Sequence, residues 1–267
     1  MEELIMKKFI ALALVLVMSL GLFAACGQEP AADDSKKTFT VGFDAEYPPY
    51  GYMDENGEYT GFDLDLAQEV CNRKGWTLVK QPIDWNAKDV ELNAGNIDCI
   101  WNGFTRNADR ELQYTWSDYY VNNSIVLLVR KDSGFAAKAD LAGKVVDVQA
   151  ASSGAQALED DPDFKATLAE VIEVKDYNTA VMDLQSGAVD AIAIDIGVAE
   201  YQCEIHDDIM IMEEAINTEK YAIGFKLGNE ALRDEVQAVL YEMLEDGTFA
   251  KIAEKHGLSD SVCFGEE

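Results

Sequence analysis

"LNAGNIDCI", Leu92–Ile100, and "LQSGAVDAI", Leu184–Ile192, are two copies of one pattern. They agree at Leu92 and Leu184, Gly95 and Gly187, Asp98 and Asp190, and Ile100 and Ile192, with close substitutions between. A glycine at the end of an apolar helical pattern suits the left-handed cap, because without a Cβ it enters positive φ without a clash. The residues that follow read as a buried strand. Two such units 92 residues apart predict a pair of similar α/β units, not a short-period solenoid. Ligands of open α/β sheets sit beyond the carboxyl ends of the strands. One shared cleft is therefore expected, lined by Asn102 to Thr105 from the first unit and Asp195 from the second. Gly103 and Asp195 each fall eleven residues after their copy's leucine.

The flanking sequence agrees with α/β. Thr38–Phe43 alternates like a strand. Asn56-Gly57 predicts a hairpin with positive φ at both turn positions. "DENGEYTGFD", Asp54–Asp63, fails as a calcium loop, since its glycine and glutamate are misplaced. Asp63 is expected to cap a helix running to Lys74, with Leu66, Ala67, Val70 and Cys71 on one face and Gly75 closing it. Strands are expected at Trp76–Lys80, Ile125–Arg130, Val145–Val148 and Ala191–Ile194. Asn229–Glu245 has the pattern of a long amphipathic helix, and a second runs to His256. Asp98 and Asp190 recur ahead of apolar strand residues and read as structural.

The chain of 267 residues is 48% hydrophobic, enough for one large domain or two smaller ones. Its 50 acids against 21 bases give a net charge of −29, which repels phosphate backbones and argues against a nucleic-acid partner. Cys71, Cys99, Cys203 and Cys263 fit no zinc spacing, and His206 and His256 are the only histidines, so neither a metal nor a cofactor is expected. Lys7-Lys8 followed by the apolar run Phe9–Ala25 reads as an export signal, with Met6 a plausible start. "LFAAC" resembles the lipobox of bacterial lipoproteins, which implies a lipoprotein signal over residues 1–26 ending at Cys26, which is lipidated and becomes the mature N-terminus. Two or more acyl chains anchor stably where one does not. Residues 27–37, polar and without period, read as a flexible tether.

"VGFDAEYPPYGY" (41–52), "GEYTGFDLDLAQEV" (57–70), "AGNIDCIWNGFTRNADR" (94–110), "WSDYYVNNSIVLLVRKDS" (116–133), "DLAGKVVDVQAASSGAQ" (140–156), "SGAVDAIAID" (186–195) and "EDGTFAKIAEKHG" (245–257) follow one another in order. Together they resemble the amino-acid-binding family of bacterial extracellular solute-binding proteins that feed ABC importers. The resemblance implies a two-lobed periplasmic-binding-protein-like fold (type II), its lobes joined by a two-strand hinge. The crossings are then expected near Val126–Arg130 and Tyr221–Phe225, giving lobe 1 as 38–127 plus 226–267 and lobe 2 as 128–225. It also implies ligand roles. Arg110 matches the arginine for the α-carboxylate, where a planar fork gives two parallel bonds. Asp195 matches the acid for the α-ammonium, and the Gly103 carbonyl and Thr105 hydroxyl support ammonium and carboxylate. Ser153 matches the hydroxyl residue at the carboxylate, with Ala151 where the family usually has glycine. Tyr47, Tyr50 and Trp85 correspond to the side-chain pocket, and Asp44 and Asn102 to positions that set selectivity. The implied partners are a free L-amino acid and ABC permease subunits. The implied setting is monomeric, lipid-anchored and outside the cytoplasmic membrane.

Two other classes share the fold: ligand-sensing domains and cyclohexadienyl dehydratases. A hydrolase on Cys99 or Ser153 lacks a neighbouring histidine. Binding without catalysis is the expectation. A carboxylate at Asp44 accepts from amides, hydroxyls and cations but repels another carboxylate. The expected ligand is therefore polar neutral or basic, over aspartate or glutamate.

Overall fold

The repeat in the sequence is a repeat in space. Helix Lys88–Ala94 ends at Gly95 with φ 79°, and helix Tyr177–Ser186 ends at Gly187 with φ 78°. Both ends close alike: Asn96 N–H donates to the Glu91 carbonyl at 3.0 Å, and Ala188 N–H to that of Asp183 at 2.9 Å. The recurring aspartates then clamp a neighbouring strand. Asp98 accepts the Thr40 N–H at 2.7 Å and returns its own to the Thr40 carbonyl at 2.8 Å. Asp190 does the same with Val145, at 3.0 and 2.9 Å.

The computed structural model describes residues 37–265; the expected signal, Cys26 and the expected tether up to residue 36 lie outside them. Two open sheets carry the two lobes. The first runs Thr77–Pro82, Thr38–Phe43, Cys99–Ile100, Gly224–Lys226, Tyr114–Trp116. The second runs Glu170–Val174, Val145–Gln149, Ala191–Asp195, Val121–Arg130, Ile209–Ile211. Helices Glu230–Glu245 and Thr248–Lys255 return to the first lobe, where Arg233 donates to the Trp116 carbonyl at 2.6 Å and Arg73 pairs with Asp246 at 2.8 Å.

Val121–Arg130 is one ten-residue strand shared between lobes. From Ile125 onward it pairs with Ala191–Asp195 in the second sheet, while its first residues pair with Asn217–Tyr221. The chain re-enters the first sheet at Gly224. The first crossing therefore lies a few residues before the expected one, with Val126 and Leu127 paired to Ile194 and Ala193 in the second sheet, while the second falls within Tyr221–Phe225. The reason is compositional: Asn122, Asn123 and Ser124 look like a loop, yet each is a rung of the hinge ladder.

Two local expectations change. The hairpin between Gly51–Met53 and Tyr59–Thr60 forms, but Gly57 alone takes positive φ, at 80°. Asp54 organises the turn instead, accepting the Asn56 and Glu58 N–H groups at 2.9 Å each. Helix Phe62–Lys74 starts at Gly61, φ 133°, so Asp63 is not its cap. Asp63 turns inward, where it is fully buried and accepts the Gly103 N–H at 2.7 Å and the Tyr120 hydroxyl at 2.9 Å.

Such burial is costly for a carboxylate. It pushes Asp63 up to about 7, and Asp44 up to about 6 against its hydrogen bonds to Glu46 and Gln149. Asp147, fully buried with neither carboxylate oxygen partnered, is pushed to about 6 by burial and by Asp183. An acid with its folded pKa above its unfolded value of about 4 holds its proton more tightly when folded. The stability these three acids contribute is fully present below about 4 and is lost as pH rises through about 6 to 7. The melting temperature should be higher at pH 5 than at pH 8, and Asp147→Asn should flatten part of that slope. A melting temperature that rises between those values would contradict this account.

Candidate functional site

The loop after Cys99–Ile100 is bent by Gly103, φ 54°, where a Cβ would stand 2.8 Å from Tyr47 Cε1 and 2.9 Å from Tyr221 Cε2. Asp63 grips this bend from below, so the Gly103–Thr105 backbone is fixed from the core. Across the cleft, helix Ser153–Asp160 begins at the strand end of Val145–Gln149, capped by Ser152, whose hydroxyl accepts the Ala155 N–H at 3.1 Å. Its N-terminus presents unsatisfied N–H groups and partial positive charge. Ala151, before the cap, holds φ 55°, the conformation a glycine adopts without strain.

A cavity of ≈ 10 Å³ lies between the lobes, lined by Tyr47, Trp85, Asn102, Gly103, Thr105, Arg110, Ser153 and Asp195 among the expected residues, and by Gln149 and Ser152. Asp44 and Tyr50 are not on its wall. Asp44 spends its carboxylate on the Gln149 amide, 2.6 Å away across the cleft, and faces a neighbouring recess. Tyr50 is 1% exposed and packs edge-on against Tyr221, its hydroxyl filling the space a Cβ on Gly197 would need. Trp101 is fully buried.

The charged groups are held by neutral partners. Arg110 Nη1 donates to the Thr105 carbonyl at 3.2 Å and Nη2 to the Ala151 carbonyl at 3.3 Å, with the guanidinium 5.0 Å from the Phe104 ring centre. Burial lowers its pKa from the usual arginine value. Lys88, 4% exposed, joins it on the Ala151 carbonyl at 3.2 Å, and burial followed by repulsion from Arg110 lowers its pKa to about 8. Asp195 stands at the N-cap position just before helix Ile196–Ile205, but its side chain bonds no helix N–H. It accepts instead from Asn123 and Tyr221, each at 2.7 Å, and from Tyr177 at 3.1 Å. Burial raises its pKa against those bonds. Glu219, on the hinge strand, accepts from Thr105 at 2.6 Å and from Ser153 and Asn123 at 2.8 Å each. Burial and then repulsion by Asp195 raise its pKa.

Sequence reasoning missed Lys88, Gln149, Ser152 and Glu219. Gln149 ends its strand, so the rule of ligands beyond carboxyl ends points to it. Glu219 shares one face of Asn217–Tyr221 with the buried Tyr221, a carboxylate on the inward side of an alternating strand. Lys88 opens a short helix and has no such mark.

The lobes touch through Thr105 and Ser153 at 3.1 Å, Asp44 and Gln149, Arg110 and Ala151, and Glu46 and Asn178. A cavity of ≈ 10 Å³ is about one water's worth, far below the roughly 300–1,000 Å³ of ordinary ligand pockets. Any larger guest requires the lobes to part. The arrangement offers cations and helix N–H groups at one end and carboxylates at the other, suited to a small zwitterion. Among the described residues no cluster of His, Cys, Asp or Glu is arranged to hold a metal.

Comparison with known proteins agrees with this geometry. A profile of bacterial extracellular solute-binding proteins, family 3, matches residues 39–259. L-cystine-binding protein TcyA of Bacillus subtilis (strain 168) is 30% identical, over 94% of this chain and 97% of its own. The arginine-binding extracellular protein ArtP of the same organism is 28% identical, over 94% and 98%. The crystal structure of an ABC uptake transporter substrate binding protein from Streptococcus pneumoniae with bound histidine superposes with a TM-score of 0.80 at 33% identity, over 82% of this chain and 92% of that one.

Proposed function

The chain belongs to the family 3 bacterial extracellular solute-binding proteins, and from that membership we propose a substrate-binding protein of an ABC importer for a free, polar neutral or basic L-amino acid. It binds its ligand by closure of two lobes and is not an enzyme. The observation that carries the reading is the placing of Arg110 and the helix start at Ser153 in one cavity with Asp195. Arg110 clamps the α-carboxylate, the Ser153 and Thr105 hydroxyls and the helix N–H groups assist, and Asp195 with the Gly103 carbonyl holds the ammonium. Tyr47, Trp85 and Asn102 line the side-chain end.

Relatives that bind arginine, cystine or histidine share only the α-carbon groups of their ligands, which is what this cavity addresses. Asp44, Asp195 and Glu219 outnumber Arg110 and Lys88 around the cleft, which disfavours a second carboxylate on the ligand. Parting of the lobes about the hinge segments 121–124 and 217–223 admits it, and closure completes the contacts. Lipid on Cys26 tethers the protein, as a monomer, beside the permease.

Calorimetric titration of ligand-stripped protein with arginine, histidine, glutamine, cystine, aspartate and glutamate tests this. Tightest binding should fall among the first four, with a smaller radius of gyration at saturation. Tightest binding of aspartate or glutamate would overturn the ligand class, and no binding of any amino acid would overturn the function. In membrane fractionation, Cys26→Ser should move the protein to the soluble fraction; wild type already soluble would sink the anchor.

A further inference from the structure

Asp195 and Glu219 are joined through a single amide. Asn123 Nδ2 donates to Asp195 Oδ1 at 2.7 Å and to Glu219 Oε1 at 2.8 Å. The remaining donors to the two carboxylates are hydroxyls: Tyr221 and Tyr177 on one, Thr105 and Ser153 on the other. Two carboxylates, Asp195 buried and Glu219 half-buried, thus share one place with only neutral donors around them. Like charges held this close repel unless a cation stands with them. A second observation points the same way. Asn123 is 3% exposed, and its Oδ1, on the amide that bridges the acids, has no hydrogen-bond partner. A buried acceptor left open costs free energy until a donor meets it. The cluster is rich in acceptors and lacks a cationic donor.

Glu219 also touches the cavity through its partners. Thr105 from the first lobe and Ser153 from the second both line the cavity, and both donate to the same Glu219 oxygen. An ammonium carries three donors and no acceptor, which is the complement of this set.

We propose that Glu219 is the second carboxylate of the ammonium subsite, sharing the ligand's cation with Asp195 and setting selectivity for ligands that carry an α-ammonium. The inference rests on the reading of the cleft as an amino-acid site. When the ammonium enters, the Thr105 and Ser153 hydroxyls turn from Glu219 to the ligand and the Asn123 amide keeps the two acids in place. The incoming charge relieves the repulsion that raises the Glu219 pKa. A ligand that keeps the carboxylate and side chain but lacks the amine gains none of this.

The test compares wild type with Glu219→Gln, titrating whichever of arginine, histidine and glutamine wild type binds most tightly, and then its des-amino counterpart. The glutamine carbonyl still accepts from Thr105 and Ser153, so the hinge is retained. Glu219→Gln should bind the amino acid roughly ten- to a hundredfold more weakly, with binding of the des-amino acid little changed. The preference for the amine therefore shrinks. Equal or tighter amino-acid binding overturns the proposal, as does an equal loss for both ligands, which marks a merely structural residue. Should Glu219→Gln fail to fold, Glu219→Met, similar in length and uncharged, supports the same comparison. Wild type that binds no amino acid overturns the functional reading itself, whereas wild-type binding with an unaltered variant removes Glu219 alone.

Discussion

Arg110→Ala is expected to weaken amino-acid binding by roughly tens- to thousands-fold, equivalent to about 2–5 kcal/mol. The guanidinium is held by two backbone carbonyls, at 3.2 and 3.3 Å. Its forked donors therefore exchange weak neutral partners for the ligand's carboxylate at little cost. Without it, that carboxylate enters a low-dielectric cleft with only helix N–H groups, hydroxyls and Lys88 to meet it. The fold should survive, because Arg110 is half-buried at the cleft rim and touches the core only through the outer face of Phe104 and the Thr105 carbonyl. Titration calorimetry with the tightest amino acid decides the matter, with a melting curve as control. A folded variant of unchanged affinity would remove Arg110 from the site.

Gly61→Ala should be the most damaging single-methyl change to folding, costing more than about 3 kcal/mol. Gly61 sits at φ 133°, and a Cβ there would lie 2.3 Å from the Tyr50 carbonyl oxygen and 2.8 Å from the Gly51 nitrogen. These are backbone atoms and have no rotamer in which to yield. Pushing them away also disturbs Asp63, whose N–H donates to that same Tyr50 carbonyl at 3.1 Å and whose carboxylate fixes Gly103. Gly75→Ala is the matched control: φ is 67° but no atom lies within 4 Å of the added Cβ, so the cost is confined to backbone strain of about 1 kcal/mol. Urea denaturation of the pair gives the difference. Equal midpoints would show that the Tyr50–Gly51 segment yields freely.

The duplicated helix–glycine–strand pattern was legible because its signals are local. Gly95 and Gly187 cap helices, and Asp98 and Asp190 clamp strands, through residues close in sequence or in the sheet. Arg110 and Asp195 were legible by resemblance, and both line the cavity. Glu219 and Lys88 carry no motif that marks them: Glu219 meets Asp195 through the Asn123 amide, and Lys88 reaches the Ala151 carbonyl across the cleft. Asp63 was misread for a related reason. Acid at a helix start suggests a cap, and nothing nearby in sequence announces the Gly103 N–H waiting in the core. Asp44 and Tyr50 stand near the right loop, but a partner from the other lobe turns one aside and Gly197 makes room for the other.

The strand Gly224–Lys226 lies between Cys99–Ile100 and Tyr114–Trp116, in the interior of the first sheet. That position governs the order in which the protein is able to assemble. A chain emerging amino end first delivers every strand of the second sheet before this one. The second lobe has all its strands in hand while the first still has a slot in its middle, and domains fold as units once their parts are present. The slot fills only with the last strand, and helices Glu230–Glu245 and Thr248–Lys255 follow to cover it. The amino-terminal third of the polypeptide thus stays threadable until nearly all of the chain has been delivered.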